Sequence, residues 1–256
     1  MQLFTWLLAL MLLGSGVDAF ATMPQPRVLR IDGSITANTL FEISQKLAGW
    51  SNEDPIPGGL LVLLNSPGGD GEAAMQIGRI LRQKKAQTFV TGRCDSACLF
   101  ILVGGVARAA RPGTVGVHAG RLTVTDPNGK ILKEIDSSQS LSNSFKLTSF
   151  NSDIRKYFAE MGLAHGLLDV TLAHRTTQTY KLTDHEMKLY RVVGFDNDYL
   201  RERSQVFENL PEKERINRIE LYNRTLSVPR YCQHAIANND AFVNCYKSVL
   251  FKGVSN

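Results

Sequence analysis

Long apolar runs are almost absent from this 256-residue chain. The exception is Leu3 to Leu13, LFTWLLALMLL; past it no segment approaches the roughly 20 apolar residues a spanning helix needs. Blocks of like charge are missing too. The 29 basic and 24 acidic residues are scattered singly or in pairs, such as Lys84 with Lys85, which argues against a nucleic-acid face. Nothing repeats at a fixed period and no segment is low in complexity, so solenoid and array architectures are excluded. Cysteine is limited to Cys94, Cys98, Cys232 and Cys245, and the CxxxC spacing has no second cysteine or histidine pair beside it, which argues against a metal site. The overall balance, 43% hydrophobic and 21% charged, is ordinary globular composition with enough apolar material for a core.

The apolar block runs into GSGVDAFA, where Ala19 and Ala21 hold the two small-residue positions of a cleavage site. A signal peptide over residues 1–21 is expected, which would place the protein in the periplasm or outside the cell, with no stable membrane span after cleavage. The usual positive n-region is missing, so the alternative is an uncleaved N-terminal anchor, although Asp18 interrupts it before spanning length. Cleavage would leave 29 basic against 23 acidic residues, a net +6. An even set of cysteines in an exported chain points to disulfides. The simplest connectivity is Cys94 to Cys98, bracketing Ser96, and Cys232 to Cys245, stapling the tail; the sequence leaves the Cα separations open.

Periodicity predicts a strand over Val28 to Ile31, a helix over Thr39 to Leu47, and a loop over Ser51 to Gly59. Leu60 to Leu64 is continuously apolar, the pattern of a strand covered on both faces. NSPGGD, Asn65 to Asp70, then hands over to a helix from Glu72 to Lys85. A third strand, Gln87 to Thr91, meets Gly92 and a sharp turn carrying Ser96, before a buried helix over Ala97 to Val103. Val106 to Gly113 reads as a basic loop with Arg108 and Arg111, and Thr114 to His118 as a further strand. A hairpin around DPNG, helices to about Met161 and over Leu167 to Ala173, and a capped helix in LTDHEMKLY complete an α/β pattern. From about Leu200 the chain is densely charged and reads as a helical C-terminal extension; the division is 1–21, 22–200 and 201–256.

Three places can carry chemistry, and each also has a plainer reading. Ser96, opening a helix, is placed as a nucleophile or as an N-cap. Gly68 and Gly69, where a strand meets a helix, can aim N–H groups at a developing oxyanion or can simply make a tight turn. His118, 22 residues after the serine at a strand end, is a base or a hydrogen-bonded core residue.

LNSPGGD, CDSACLFILVGG and GVHAG, in that order, resemble the Clp protease proteolytic subunit and its relatives in the ClpP/crotonase superfamily, and the cysteine-flanked serine resembles an exported branch of that group. The resemblance covers roughly Val28 to Asn197 and implies a spiral of β-β-α units. By motif position it makes Ser96 the nucleophile, His118 the base, and Gly68 and Gly69 the oxyanion hole. The acid of the family's triad should fall within Ala173 to Thr176, AHRT, where no carboxylate stands. Asp169, one turn earlier, is the nearest substitute; Asp184 and His174 are weaker ones, and Lys146 is an alternative base of the kind found in the related signal peptide peptidases. The resemblance implies peptide-bond hydrolysis through an acyl-enzyme with no cofactor, a peptide or protein substrate, and a homo-oligomer. A catalytically inactive binding or scaffold protein on the same fold is the second reading, favoured by the absent acid. A crotonase-like enzyme acting on acyl-CoA is the third, disfavoured by export.

Overall fold

The computed structural model describes residues 25–50, 59–126, 131–135, 140–174, 179–212 and 215–253, so the expected signal segment lies outside the described residues. The chain enters as β1 (Arg27–Asp32) and turns into α1 (Ala37–Ala48), whose first turn is closed by a capping box between Thr36 and Thr39. β2 (Leu60–Ser66) follows, then α2 (Gly71–Gln83), where the Asp70 carboxylate accepts the Ala73 N–H at 3.0 Å. An acidic cap there answers both an orphan donor and the positive end of the helix dipole. β3 (Gln87–Asp95) leads into α3 (Cys98–Gly104).

β3 is the strand on which the rest depends. It runs four residues beyond the stretch expected from sequence and passes through Gly92. Gly92 is not a turn: a side chain there would strike Asn65, whose Oδ1 accepts the Arg93 N–H across the strand pair at 3.2 Å. On one edge β3 pairs in parallel with β2, which pairs in parallel with β1. On its other edge it serves two strands in succession. β4 (Ala107–Ala109) lies along Gln87 to Phe89, and β5 (Val115–Val117) along Cys94 and Asp95.

β4 falls inside the stretch expected as a basic loop. Its single charge, Arg108, is folded into the protein and only 3% exposed, so a charged letter hid a buried strand. The hairpin of β6 (Leu122–Thr125) and β7 (Ile131–Ile135) forms as expected, and α4 (Leu141–Glu160) and α5 (Leu167–Ala173) follow. β8 (Tyr180–Lys181) adds antiparallel to β5, α6 (Asp184–Leu189) opens with the expected capping box on Thr183, and β9 (Gly194–Phe195) closes the far edge against β4. α7 (Asn197–Glu208), α8 (Arg218–Tyr231) and α9 (Asn239–Lys252) form the C-terminal part. The result is a mixed α/β fold with a seven-stranded, mostly parallel sheet among the described residues.

The apolar run of β2 divides between two cores, as a doubly covered strand must. Leu60, Val62 and Leu64 face a core with Ile77 and Leu81 of α2, the whole of α3, and Tyr157 of α4. Leu61 and Leu63 face a second core with Phe89, Phe207 of α7, Leu221 and Val228 of α8, and Phe242 and Tyr246 of α9. The C-terminal helices are therefore the second cover of the sheet. Each buried leucine on that face contributes about 2 kcal/mol. The Cys232–Cys245 disulfide, Cα atoms 5.7 Å apart, joins the end of α8 to α9.

Candidate active site

Ser96 stands past the end of β3 with φ +55°, in the left-handed region that a residue with a Cβ occupies at a cost of about 1–2 kcal/mol. Three restraints hold it there. Its N–H donates to the Gly116 carbonyl of β5 at 2.8 Å, the Cys94 N–H donates to the Thr114 carbonyl at 2.7 Å, and the Cys94–Cys98 disulfide closes the turn around it, with Cα atoms 5.1 Å apart. The helix cap is Ala97, with no side-chain capping bond, so the half-buried Ser96 hydroxyl is not spent as an N-cap. A serine on a strained strand-to-helix turn, its hydroxyl without a hydrogen bond among the described residues, has the layout of a nucleophile.

Gly68, at φ +98°, lies directly against it. A Cβ there would stand 2.7 Å from Ser96 Cβ, 2.7 Å from the Asp95 carbonyl and 3.0 Å from the Ala97 nitrogen, distances no side chain tolerates. Ile35 holds this turn from the other side: its N–H donates to the Gly68 carbonyl and its own carbonyl accepts the Asp70 N–H, both at 2.9 Å. The Gly68 N–H donates to the buried Ser66 hydroxyl at 3.0 Å. That donor is occupied in this state. The Gly69 N–H makes no hydrogen bond among the described residues, and neither does the Ala97 N–H beside Gly68. Ala97 was missed in the sequence, although its place immediately after the nucleophile at a strand-to-helix turn is the signal for an oxyanion donor.

His118 follows β5, whose pairing sets Asp95 opposite Gly116. The Ser96 N–H bond to the Gly116 carbonyl brings the turn to within two residues of His118 along the chain. The half-buried ring places Nδ1 2.8 Å from the Ala119 carbonyl. A carbonyl can only accept, so Nδ1 carries the proton and Nε2 presents its lone pair. Among the described residues the Ser96 hydroxyl and the His118 ring are not hydrogen-bonded to each other. The Ala119 N–H in turn donates to the His174 carbonyl at 2.9 Å, tying His118 to the end of α5.

The expected substitutes for the acid are elsewhere. Asp169 is exposed on the first turn of α5 and makes no hydrogen bond to His118 among the described residues. Asp184 is exposed and pairs with Lys188 at 2.6 Å. His174 stacks on Tyr180, ring centroids 4.0 Å apart, with Nδ1 2.9 Å from the Val170 carbonyl. Lys146 is exposed on α4, and Arg175 and Thr176 of the expected stretch lie outside the described residues. The carboxylate next to the nucleophile is one the sequence did not single out: Asp95, buried and ion-paired with Lys181 of β8. The pair crosses over Gly116, where a Cβ would stand 2.4 Å from Asp95 Oδ1. Its sequence signal was an acid directly before the candidate nucleophile. Phe150 of α4 reaches the space a Cβ would need at Gly71, three residues past Gly68, and at Gly120, two past His118.

The arrangement can carry acyl transfer: a strained serine, a histidine two residues beyond the carbonyl that holds the serine's N–H, and backbone donors at a helix start. A family match points the same way. The Clp protease family model matches residues 14–129, a stretch that contains Gly68, Gly69, Ser96 and His118. No curated protein matches the chain. Among solved structures, a point mutant of ClpP1 from Listeria monocytogenes aligns at 19% identity with a TM-score of 0.48, and ClpP1 from the same organism at 19% with 0.44. Both alignments cover 65% of this chain and 88% of the other. Through the first half of its length, this chain is similar to the Clp proteases.

Proposed function

We propose that this chain is an exported serine peptidase that cleaves peptide bonds through an acyl-enzyme on Ser96. The observation that carries the reading is the Ser96 turn: a left-handed serine, uncommitted as a cap, packed against a glycine where only a glycine fits. In this reading Ser96 Oγ attacks the scissile carbonyl, and its proton passes to Nε2 of His118. The Ala119 carbonyl, bonded to Nδ1, holds the ring in the tautomer that can accept. A carbonyl orients the imidazole but stabilises the imidazolium less than a carboxylate would, so turnover is expected to be slow; loss of a triad acid costs on the order of 10⁴ in rate. The oxyanion is held by the N–H groups of Ala97 and of the PGG turn, Gly68 or Gly69. Export rests on the leader and on two disulfides built from all four cysteines. Self-association is supported by the exposed Leu132 of β7 and by Leu141 and Phe145 on the first turns of α4.

A second reading, a catalytically inactive member of the fold that binds a partner, has its own observation: the Gly68 donor is taken by Ser66. Treatment with a fluorophosphonate, with the adduct located by mass spectrometry, separates the two. The peptidase reading expects an adduct on Ser96 that is absent in Ser96→Ala and strongly slowed in His118→Ala. No adduct in folded, assembled protein overturns it and leaves the binding reading.

A further inference from the structure

A cavity of about 530 Å³ opens at the opposite end of the sheet, between β4, β9, the end of α6 and the start of α7. Arg108 on its wall pairs through β4 with Thr88 at the start of β3, eight residues before Ser96, or about 25 Å along an extended strand. The cavity shares no residue with the Ser96 site, and its chemistry is independent of the peptidase reading.

Its charge is unbalanced. Five charged residues line it: Arg108, Lys188, Arg191, Asp196 and Asp198. Three of these have partners outside the pocket's own needs. Asp196 caps α7 with Oδ1 and takes Arg82 on Oδ2 at 3.2 Å, Asp198 pairs with Arg201 at 2.9 Å, and Lys188 pairs with Asp184. Arg108 and Arg191 have no acidic partner among the described residues.

Arg108 is the more telling of the two. Its Nη1 donates to the Val103 and Met161 carbonyls, at 3.4 and 3.2 Å, but its Nε is buried without a partner. A buried guanidinium N–H left unmatched is destabilising, because its desolvation is not repaid. Burial, reinforced by Arg82, depresses its proton affinity to about 10; Arg191 acts in the same direction and Asp196 opposes it. Arg108 is thus a buried cation with carbonyl contacts and no acidic partner among the described residues.

Arg191 sits on the rim in a conformation that also needs explaining. It is exposed at φ +57°, just past α6, where its N–H closes the helix on the Lys188 carbonyl at 3.1 Å. Glycine is the usual residue at such a left-handed helix end. An arginine there carries backbone strain that a glycine would avoid.

We infer that this cavity binds a phosphate-type oxyanion, with Arg108 on its wall and Arg191 at its rim supplying the charge. Guanidinium groups present forked donors matched to such oxygens. The volume exceeds that of a bare anion and lies in the range of small-ligand pockets. Its remaining wall includes Phe195 and Tyr222, ring centroids 5.5 Å apart, which would face the organic body of a phosphate monoester.

The test is calorimetric titration of the protein with inorganic phosphate and with phenyl phosphate at pH 8, against sodium chloride of equal ionic strength. Saturable binding of about one anion per chain is expected, weakened about tenfold or more in Arg191→Gly, which relieves strain and so keeps the fold, and partly retained in Arg191→Lys. Tighter binding of phenyl phosphate than of inorganic phosphate assigns the site to an ester; equal affinities assign it to free phosphate. Absence of saturable binding beyond chloride, or unchanged affinity in Arg191→Gly, overturns the inference. Arg108→Gln is the stricter variant, and where it does not fold the Arg191 pair decides.

Discussion

Replacing Gly68 by alanine adds one carbon at the point where the oxyanion turn touches the nucleophile. Two costs follow from the geometry. The first is backbone strain, since φ +98° lies in the left-handed region and costs a residue with a Cβ about 1–2 kcal/mol. The second is overlap: the new atom would sit 2.7 Å from both Ser96 Cβ and the Asp95 carbonyl, and neither can retreat, because β3 is pinned by β5 and by the disulfide. Overpacking at such a site adds about 1–3 kcal/mol. The sum is about 2–5 kcal/mol, or roughly 5–15 °C in melting temperature for a chain of this size. Gly33 supplies the control. It has φ +81° and nothing within 4 Å of a built Cβ, so Gly33→Ala carries the strain without the overlap. Urea denaturation of the two variants isolates the overlap as their difference, and the rate of fluorophosphonate labelling reports whether Ser96 has moved. Equal stabilities, together with unaltered labelling in Gly68→Ala, would refute the contact and the site drawn around it.

Ser66→Ala removes the acceptor that occupies the Gly68 N–H, and labelling of Ser96 is expected to rise several-fold while stability falls by about 1 kcal/mol; unchanged labelling would take Gly68 out of the oxyanion hole. Converting Cys232 and Cys245 together to serine opens a 13-residue separation and is expected to cost about 3 kcal/mol in urea unfolding, against about 2 kcal/mol for the four-residue separation of Cys94 and Cys98; the reverse ranking would contradict a loop-entropy origin. Tyr199 is buried, and burial pushes its hydroxyl up to about 12 while the cation of Arg203 opposes the shift. A raised folded pKa means full stability below about pH 10, lost as pH climbs from 10 towards 12, at most on the order of 3 kcal/mol. The buried Tyr157 hydroxyl is raised too and acts in the same direction, whereas the lowered Arg108 acts in the opposite one. Urea midpoints measured from pH 9 to 12 should therefore fall less steeply in Tyr199→Phe than in the parent; identical slopes would remove Tyr199 from the account.

The parts of the fold that could be read from sequence were those with a period or a cap. Leu60 to Leu64 announced a doubly covered strand because five consecutive apolar residues have no other use, and both its faces are buried. Thr183 and Glu186 announced a helix start by their spacing and form it. β4 was hidden because Arg108 is buried through carbonyl contacts that no local pattern encodes. The length of β3 was hidden because Gly92 spells a turn, whereas its purpose is to leave room for Asn65, 27 residues earlier. The C-terminal helices were legible as helices, but their place over Leu61, Leu63 and Phe89 is a tertiary fact. The same division holds at the site. Ser96, Gly68 and His118 stood out as motifs, while Ala97, Asp95 and Lys181 act through a backbone N–H and an ion pair spanning 86 residues.

The Cys94–Cys98 bond makes the Ser96 turn a covalent ring. A newly made chain with free thiols must hold a left-handed serine by the Gly116 and Thr114 hydrogen bonds without covalent closure, and a turn held by hydrogen bonds alone also samples other conformations. Oxidation removes those conformations. The bond thereby ties the rigidity of the turn to the surroundings: the ring exists only where the two thiols have met an oxidant.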